Sequence, residues 1–208
     1  MPLQNRVTPF GELVAAPERG SFTGNRGIIH DPIARTLLRK RWTTNAWLTC
    51  RLDYKGIRRT VMGTGSWTEL FFLDEATALA AGHRPCFLCR RDAAKIFQAK
   101  WAAGNGCSLP TAPQIDRALH RERLCRGNKR IHPLTAEIAD LPDGAMVAFG
   151  DKAFVISEGH PLLWTVGGYL PVDAPLRADG LLTPPATLAA LRAGYRATMH
   201  PSAAIRRT

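Results

Sequence analysis

Phe71-Phe72-Leu73-Asp74-Glu75-Ala76-Thr77-Ala78-Leu79-Ala80-Ala81-Gly82-His83-Arg84-Pro85-Cys86-Phe87-Leu88-Cys89-Arg90 joins a strand end, a short helix and a thiol pair in one run. Phe71 and Phe72 close a β-prone stretch that begins at Thr68. Asp74 has the short carboxylate that caps a helix start, Glu75 to Ala81 is alanine-rich, and Gly82 is the residue that ends such a helix. A second helix is expected from Pro85 or Cys86 to Trp101, with Ala94, Phe97 and Trp101 along one face. Cys86 and Cys89, in a Cys-x-x-Cys turn, place two thiols on one side, with backbone N–H groups directed at them. That geometry suits tetrahedral Zn²⁺ with Zn–S bonds of about 2.3 Å. The helix start and Arg84, Arg90 and Arg91 favour the thiolate form.

Upstream, residues 42–73 read as β-rich. Trp42, Trp47, Leu48 and Cys50 mark one strand, Arg58 to Met62 a second, and Thr68 to Leu73 a third, with turns at Gly56, Gly63 and Gly65. Residues 1–41, broken by Pro2, Pro9, Pro17 and Pro32, form an extension packed on the core. Downstream, residues 102–113 hold Gly104, Asn105, Gly106, Pro110 and Pro113 and read as a boundary or large loop. A helix follows from Ile115 to Leu124 and trails into the basic stretch Arg121 to Arg130. Hairpin strands are expected at Ala145 to Phe149, Ala153 to Ser157 and Leu162 to Val166. Pro184-Pro185 starts a last helix, Ala186 to Ala193, stopped by Gly194. The expected fold is α+β: a module of strands, helix, Cys-x-x-Cys and helix over 42–101, packed with a β-rich C-terminal half over 114–208.

The order from Phe71-Phe72 through Asp74 to Ala81 and on to Gly82-His83-Arg84-Pro85-Cys86-x-x-Cys89-Arg90, with Cys50-Arg51 upstream, resembles the zinc-binding domain of the Ada-type DNA methylation-repair proteins. The resemblance covers residues 47–92; nothing after Trp101 resembles the remainder of those proteins. It implies a zinc-knuckle fold and a zinc thiolate centre in which Cys50 matches the cysteine that accepts a methyl group from a DNA phosphotriester. The chain departs from the pattern at Tyr54, which stands where a second upstream cysteine is expected. Three arrangements stay open. Cys50, Cys86 and Cys89 are joined by a ligand from elsewhere, His30 first and Asp53 or His83 next; or water fills the fourth position; or the cysteines are simply buried without metal.

Charge bears on partners. There are 28 Lys and Arg against 17 Asp and Glu, a formal net charge of +11, which points to a polyanion, DNA or RNA. Arg51, Lys55, Arg58, Arg59, Arg90 and Arg91 flank the thiol module and form the expected phosphate-contacting patch. A second basic set, Arg35, Arg39, Lys40 and Arg41, lies beside Trp42 and Trp47, the tryptophans read as core residues. No apolar run reaches the roughly 18 residues of a membrane span, and Met1 to Phe10 lacks a secretory pattern, so no membrane partner and a cytoplasmic location are expected. Five cysteines are an odd set and argue against a full disulfide framework.

His120-Arg121-Glu122 with His132 fits no zincin spacing, and Pro85-Cys86-x-x-Cys89 precedes it, the reverse of the deaminase order. No phosphate-binding loop, dinucleotide fingerprint or nucleophile elbow occurs. The expected function is nucleic-acid binding, linked to DNA repair or processing. The alternatives are a metal-dependent enzyme using His30, His120 or Cys50 between the two halves, and a metal-free structural or interaction protein.

Overall fold

Glycine and proline interrupt the apolar runs of the first third of the chain, so its strands are short. In the computed structural model, described over residues 1–57, 60–172 and 177–204, these are β1 (Gln4–Val7), β2 (Leu13–Ala15), β3 (Phe22–Asn25), the small pair β4 (His30–Asp31) and β5 (Thr36–Leu37), β6 (Leu48–Cys50) and β7 (Leu70–Phe72). Helix α1 (Glu75–Ala80) follows, then β8 (Arg84–Pro85), α2 (Arg91–Gly104) and α3 (Ala112–Arg123). The hairpin β9 (Leu124–Cys125) and β10 (Asn128–Lys129) leads to β11 (Met146–Phe149), β12 (Lys152–Ser157), β13 (His160–Thr165), β14 (Gly168–Pro171), β15 (Gly180–Leu181) and α4 (Pro185–Arg192).

Two sheets carry the architecture, and the α+β class is as expected. The first has the order β2-β1-β7-β3-β6-β8, so the N-terminal strands are woven into the sheet that bears the thiols. The second is the antiparallel run β14-β13-β12-β11-β15. Its side chains alternate with the strand period of two. Val147, Phe154 and Ile156 face one cluster with Phe97, Trp101, Leu119 and Leu191. Met146, Ala148 and Val155 face another with Ala76 and Ala80.

Helix α1 is buried on every side, which explains its alanines. Leu79 enters the first of these clusters, Ala76 and Ala80 the second, and Ala78 and Ala81 a third with Val7, Leu70 and Phe72 of the first sheet. Larger side chains would hold the two sheets apart. Its polar start is buried too. Asp74 caps Thr77 N–H at 2.8 Å and accepts from the Tyr169 hydroxyl at 2.8 Å, and burial raises its pKa. Glu75 accepts from the Tyr195 hydroxyl at 2.6 Å and from Thr198 N–H at 3.0 Å.

Several boundaries differ from the expectation. The helix expected from Pro85 or Cys86 begins at Arg91, because the preceding residues pair with β6 instead: Arg84 N–H donates to Trp47 and Cys86 N–H to Thr49, each at 3.0 Å. The expected loop over 102–113 shrinks, since α2 runs on to Gly104 and α3 starts at Ala112 behind a Thr111–Gln114 capping box. Gly104 has a packing role: a Cβ there would lie 2.1 Å from the Ala189 carbonyl oxygen of α4. Of the strand expected at Arg58 to Met62, Arg58 and Arg59 lie outside the described residues, and Val61 and Met62 form a turn. The three C-terminal strands and α4 match within two residues.

Candidate metal centre and its basic surroundings

Parallel pairing of β6 with β8 sets Thr49 opposite Pro85, which brings the next residues, Cys50 and Cys86, side by side. The turn after Cys86 closes when its carbonyl accepts from Arg90 N–H at 3.0 Å, folding Cys89 back toward them. The three sulfurs lie within 4.8 Å of one another. Tetrahedral zinc with bonds of about 2.3 Å holds its sulfurs about 3.8 Å apart, so this trio can close on a metal with little movement. Cys50 and Cys86 are buried, and Cys89 is half-buried.

The electrostatics favour a thiolate. The Cys86 thiol is pulled well below its ordinary value by hydrogen bonds from Cys50 and Cys89 and by the N–H groups of Cys89 and Leu88, the latter 3.4 Å from its sulfur. The Cys50 thiol is pushed up, because its proton is shared toward Cys86 and Cys89 and because it is buried. Ionisation is thus concentrated on Cys86, and a bound cation would displace the remaining protons.

The structure does not bring His30 to these sulfurs. His30 is buried, with Nδ1 2.6 Å from Thr68 Oγ1 and Nε2 3.2 Å from the Gly63 carbonyl, so both ring nitrogens are engaged. Asp53 is exposed and outside the cluster. His83 is packed between Trp47 and Phe72, and its Nε2 accepts from Arg26 Nε at 3.3 Å. Among the described residues, the trio has no fourth histidine, cysteine or carboxylate partner. Nor do His30, Cys50 and His120 meet, since His120 lies against Arg123 and Trp42.

Around the centre, Arg51, Lys55 and Arg91 are exposed. Arg90 is committed inward, paired with Glu75 at 2.8 Å and stacked over Phe22 at 4.5 Å. Arg58 and Arg59 lie outside the described residues.

A second basic group was not legible in the sequence. Arg26 from the N-terminal third converges with Arg123 and Lys129, which flank the β9–β10 turn, beside Trp47, and both guanidinium carbons lie 3.9 Å from the centroid of its ring. Gly82 makes this approach workable: a Cβ there would meet Arg123 Cβ at 2.6 Å. Burial lowers Arg26 and Arg123 to about 9 and Lys129 to about 7; the charge of Arg123 lowers Arg26 further, those of Arg26 and Arg123 lower Lys129, and Asp116 partly offsets the shift of Arg123. His83, buried beside them, is held neutral.

Lys129 gives a pH prediction. Its folded pKa lies below its unfolded value, so between about 7 and 10.5 the unfolded chain binds a proton that the native state does not. Stability should therefore rise with pH through this window, by up to about 1.4 kcal/mol per unit for one proton. Urea unfolding across the window should show the rise in the wild type and a flatter profile in Lys129→Met; identical profiles would refute it.

Comparison with protein-family models, curated proteins and solved structures returns no match. The fold and site by themselves define the class: an α+β protein with a three-cysteine cluster in an arrangement able to hold a metal ion. No helix among the described residues is long and apolar enough to cross a membrane.

Proposed function

We propose that the protein binds zinc through Cys50, Cys86 and Cys89 and binds nucleic acid through the exposed cations beside that centre. The convergence of three thiols from β6 and the turn after β8 carries this reading. An all-sulfur donor set selects a soft or borderline ion such as zinc over magnesium or calcium. The resemblance of residues 47–92 to the Ada-type zinc domain supports the same metal and a role in DNA repair or processing. Arg51, Lys55 and Arg91 supply phosphate contacts next to the metal, and the net charge of +11 supplies the long-range attraction.

Anisotropy titrations with labelled DNA and RNA over a range of salt test the nucleic-acid part. Affinity should fall steeply with salt, and Arg51→Ala and Arg91→Ala should each reduce the logarithmic salt slope by about 1. Binding indifferent to salt, or slopes unchanged in both variants, would contradict it.

One observation favours a second reading, a metal-dependent enzyme. Among the described residues three sulfurs are the whole donor set, which would leave the fourth tetrahedral position to water or substrate, the pattern of a catalytic rather than a structural zinc. Cobalt substitution separates the two. A visible spectrum that shifts with pH or added anions marks an open position, and an invariant one marks a closed structural site.

A further inference from the structure

A cavity of about 600 Å³ opens between the β1–β2 edge, the Trp42–Trp47 segment and the β9–β10 hairpin. Arg26, Arg123 and Lys129 line it together with Trp42, Trp47 and Phe10. Arg26 is 2% exposed and Arg123 1%. Arg26 Nη1 donates to the Gly11 carbonyl at 2.8 Å, whereas its Nη2 is buried with no hydrogen-bond partner. Arg123 donates to the carbonyls of Gly82 and Asn45, and its Nε likewise has none. Lys129 Nζ donates to the carbonyls of Ala80 and Leu182, so a third N–H is left over when the amine is protonated, a form that a bound anion favours.

The imbalance is one of charge. Among the described residues no carboxylate pairs with any of these three cations. Asp116, the acid nearest in its effect on Arg123, is held by Arg84 at 2.7 Å, and Glu12 on the cavity rim is exposed. Stacking on Trp47 offsets part of the cost of burial, but buried cations without a counter-charge are strongly unfavourable. A counter-charge delivered by an anionic ligand would relieve that cost.

We infer that this cavity is an oxyanion site whose ligand is a phosphate monoester, with the phosphate against Arg26, Arg123 and Lys129. A dianion neutralises such a cluster better than a single carboxylate, and the unpartnered Arg26 Nη2 and Arg123 Nε are donors for its oxygens. The volume leaves room for an organic body beyond the phosphate, against Trp42 and Phe10. That body is either a small molecule or the terminal residue of a nucleic-acid strand; the phosphate chemistry is the same. The inference does not depend on the metal or on the exposed basic patch.

Inorganic phosphate is the first probe, with sodium chloride at matched ionic strength as control. Saturating phosphate should raise Tm by about 5 °C or more above the chloride control. Lys129→Met, which keeps the shape and removes the charge, should weaken phosphate binding about tenfold or more. Lys152→Met, an exposed lysine of β12, should leave it unchanged. A nucleoside monophosphate and a 5′-phosphorylated oligonucleotide, each compared with its hydroxyl counterpart, then identify the source. Preference for either phosphorylated form supports the inference. A wild-type Tm that responds to phosphate no more than to chloride overturns it, whatever the variants do. Equal phosphate affinity in Lys129→Met and wild type overturns it as well.

Discussion

Glu75→Ala is expected to destabilise the protein by about 3–5 kcal/mol, a large part of the stability of an ordinary domain. Glu75 is 1% exposed and holds three groups from different parts of the chain: Arg90 at 2.8 Å, the Tyr195 hydroxyl at 2.6 Å and Thr198 N–H at 3.0 Å. Its removal leaves the half-buried Arg90 guanidinium without a carboxylate partner, against the Phe22 ring and the Tyr195 hydroxyl, and takes away the acceptor of that hydroxyl's proton. Tyr195 illustrates how closely the pair is matched, since burial and Glu75 together raise its pKa far above the usual phenol range. Glu75→Gln keeps most of the shape and should cost less, the difference reporting the charge. Urea unfolding measures both; a cost under about 1 kcal/mol for Glu75→Ala would show that the pair does not anchor α1. Because Arg90 adjoins Cys89, Glu75→Ala should also loosen the thiol turn.

Cys86→Ser is the second large effect. Cys86 receives hydrogen bonds from both other thiols and from Leu88 N–H, so it is the sulfur most ready to ionise. A serine hydroxyl is a poor ligand for zinc and does not ionise near neutrality. Since metal affinity is folding free energy when the site forms only in the native state, a chelator should lower the wild-type Tm by several degrees or more and leave that of Cys86→Ser unmoved. Cys107→Ser, at an exposed position far from the cluster in sequence, should behave as wild type. A chelator without effect on the wild type would place the cysteines as simple core residues.

Sequence periodicity was a good guide where local signals act alone. Asp74 caps α1 and Gly82 follows its end, and the β11–β12–β13 hairpins turn at Gly150 and Gly159, both with positive φ. It failed where tertiary pairing overrides propensity. Arg84-Pro85-Cys86 looks like a helix start, yet its N–H groups are taken by β6 across the sheet. The same pairing explains why the thiol trio was partly legible: Cys86 and Cys89 are local, while Cys50 joins them only through strand register. The choice of His30 as the next ligand had no local support, and Thr68 and Gly63 occupy its nitrogens. Arg90, grouped by sequence with the outward basic patch, turns inward to Glu75. Arg26, Arg123 and Lys129 carry no pattern in the sequence, because Arg26 reaches the α3–β10 corner that holds the other two only through the tertiary fold around Trp47.

Metal content of the untagged protein, measured by elemental analysis after purification without metal-affinity resin, tests the central assignment most directly. About one zinc per chain is expected in the wild type and a small fraction of that in Cys86→Ser. Less than about a tenth of an equivalent in the wild type, or full occupancy retained in Cys86→Ser, would contradict a metal centre built on Cys50, Cys86 and Cys89.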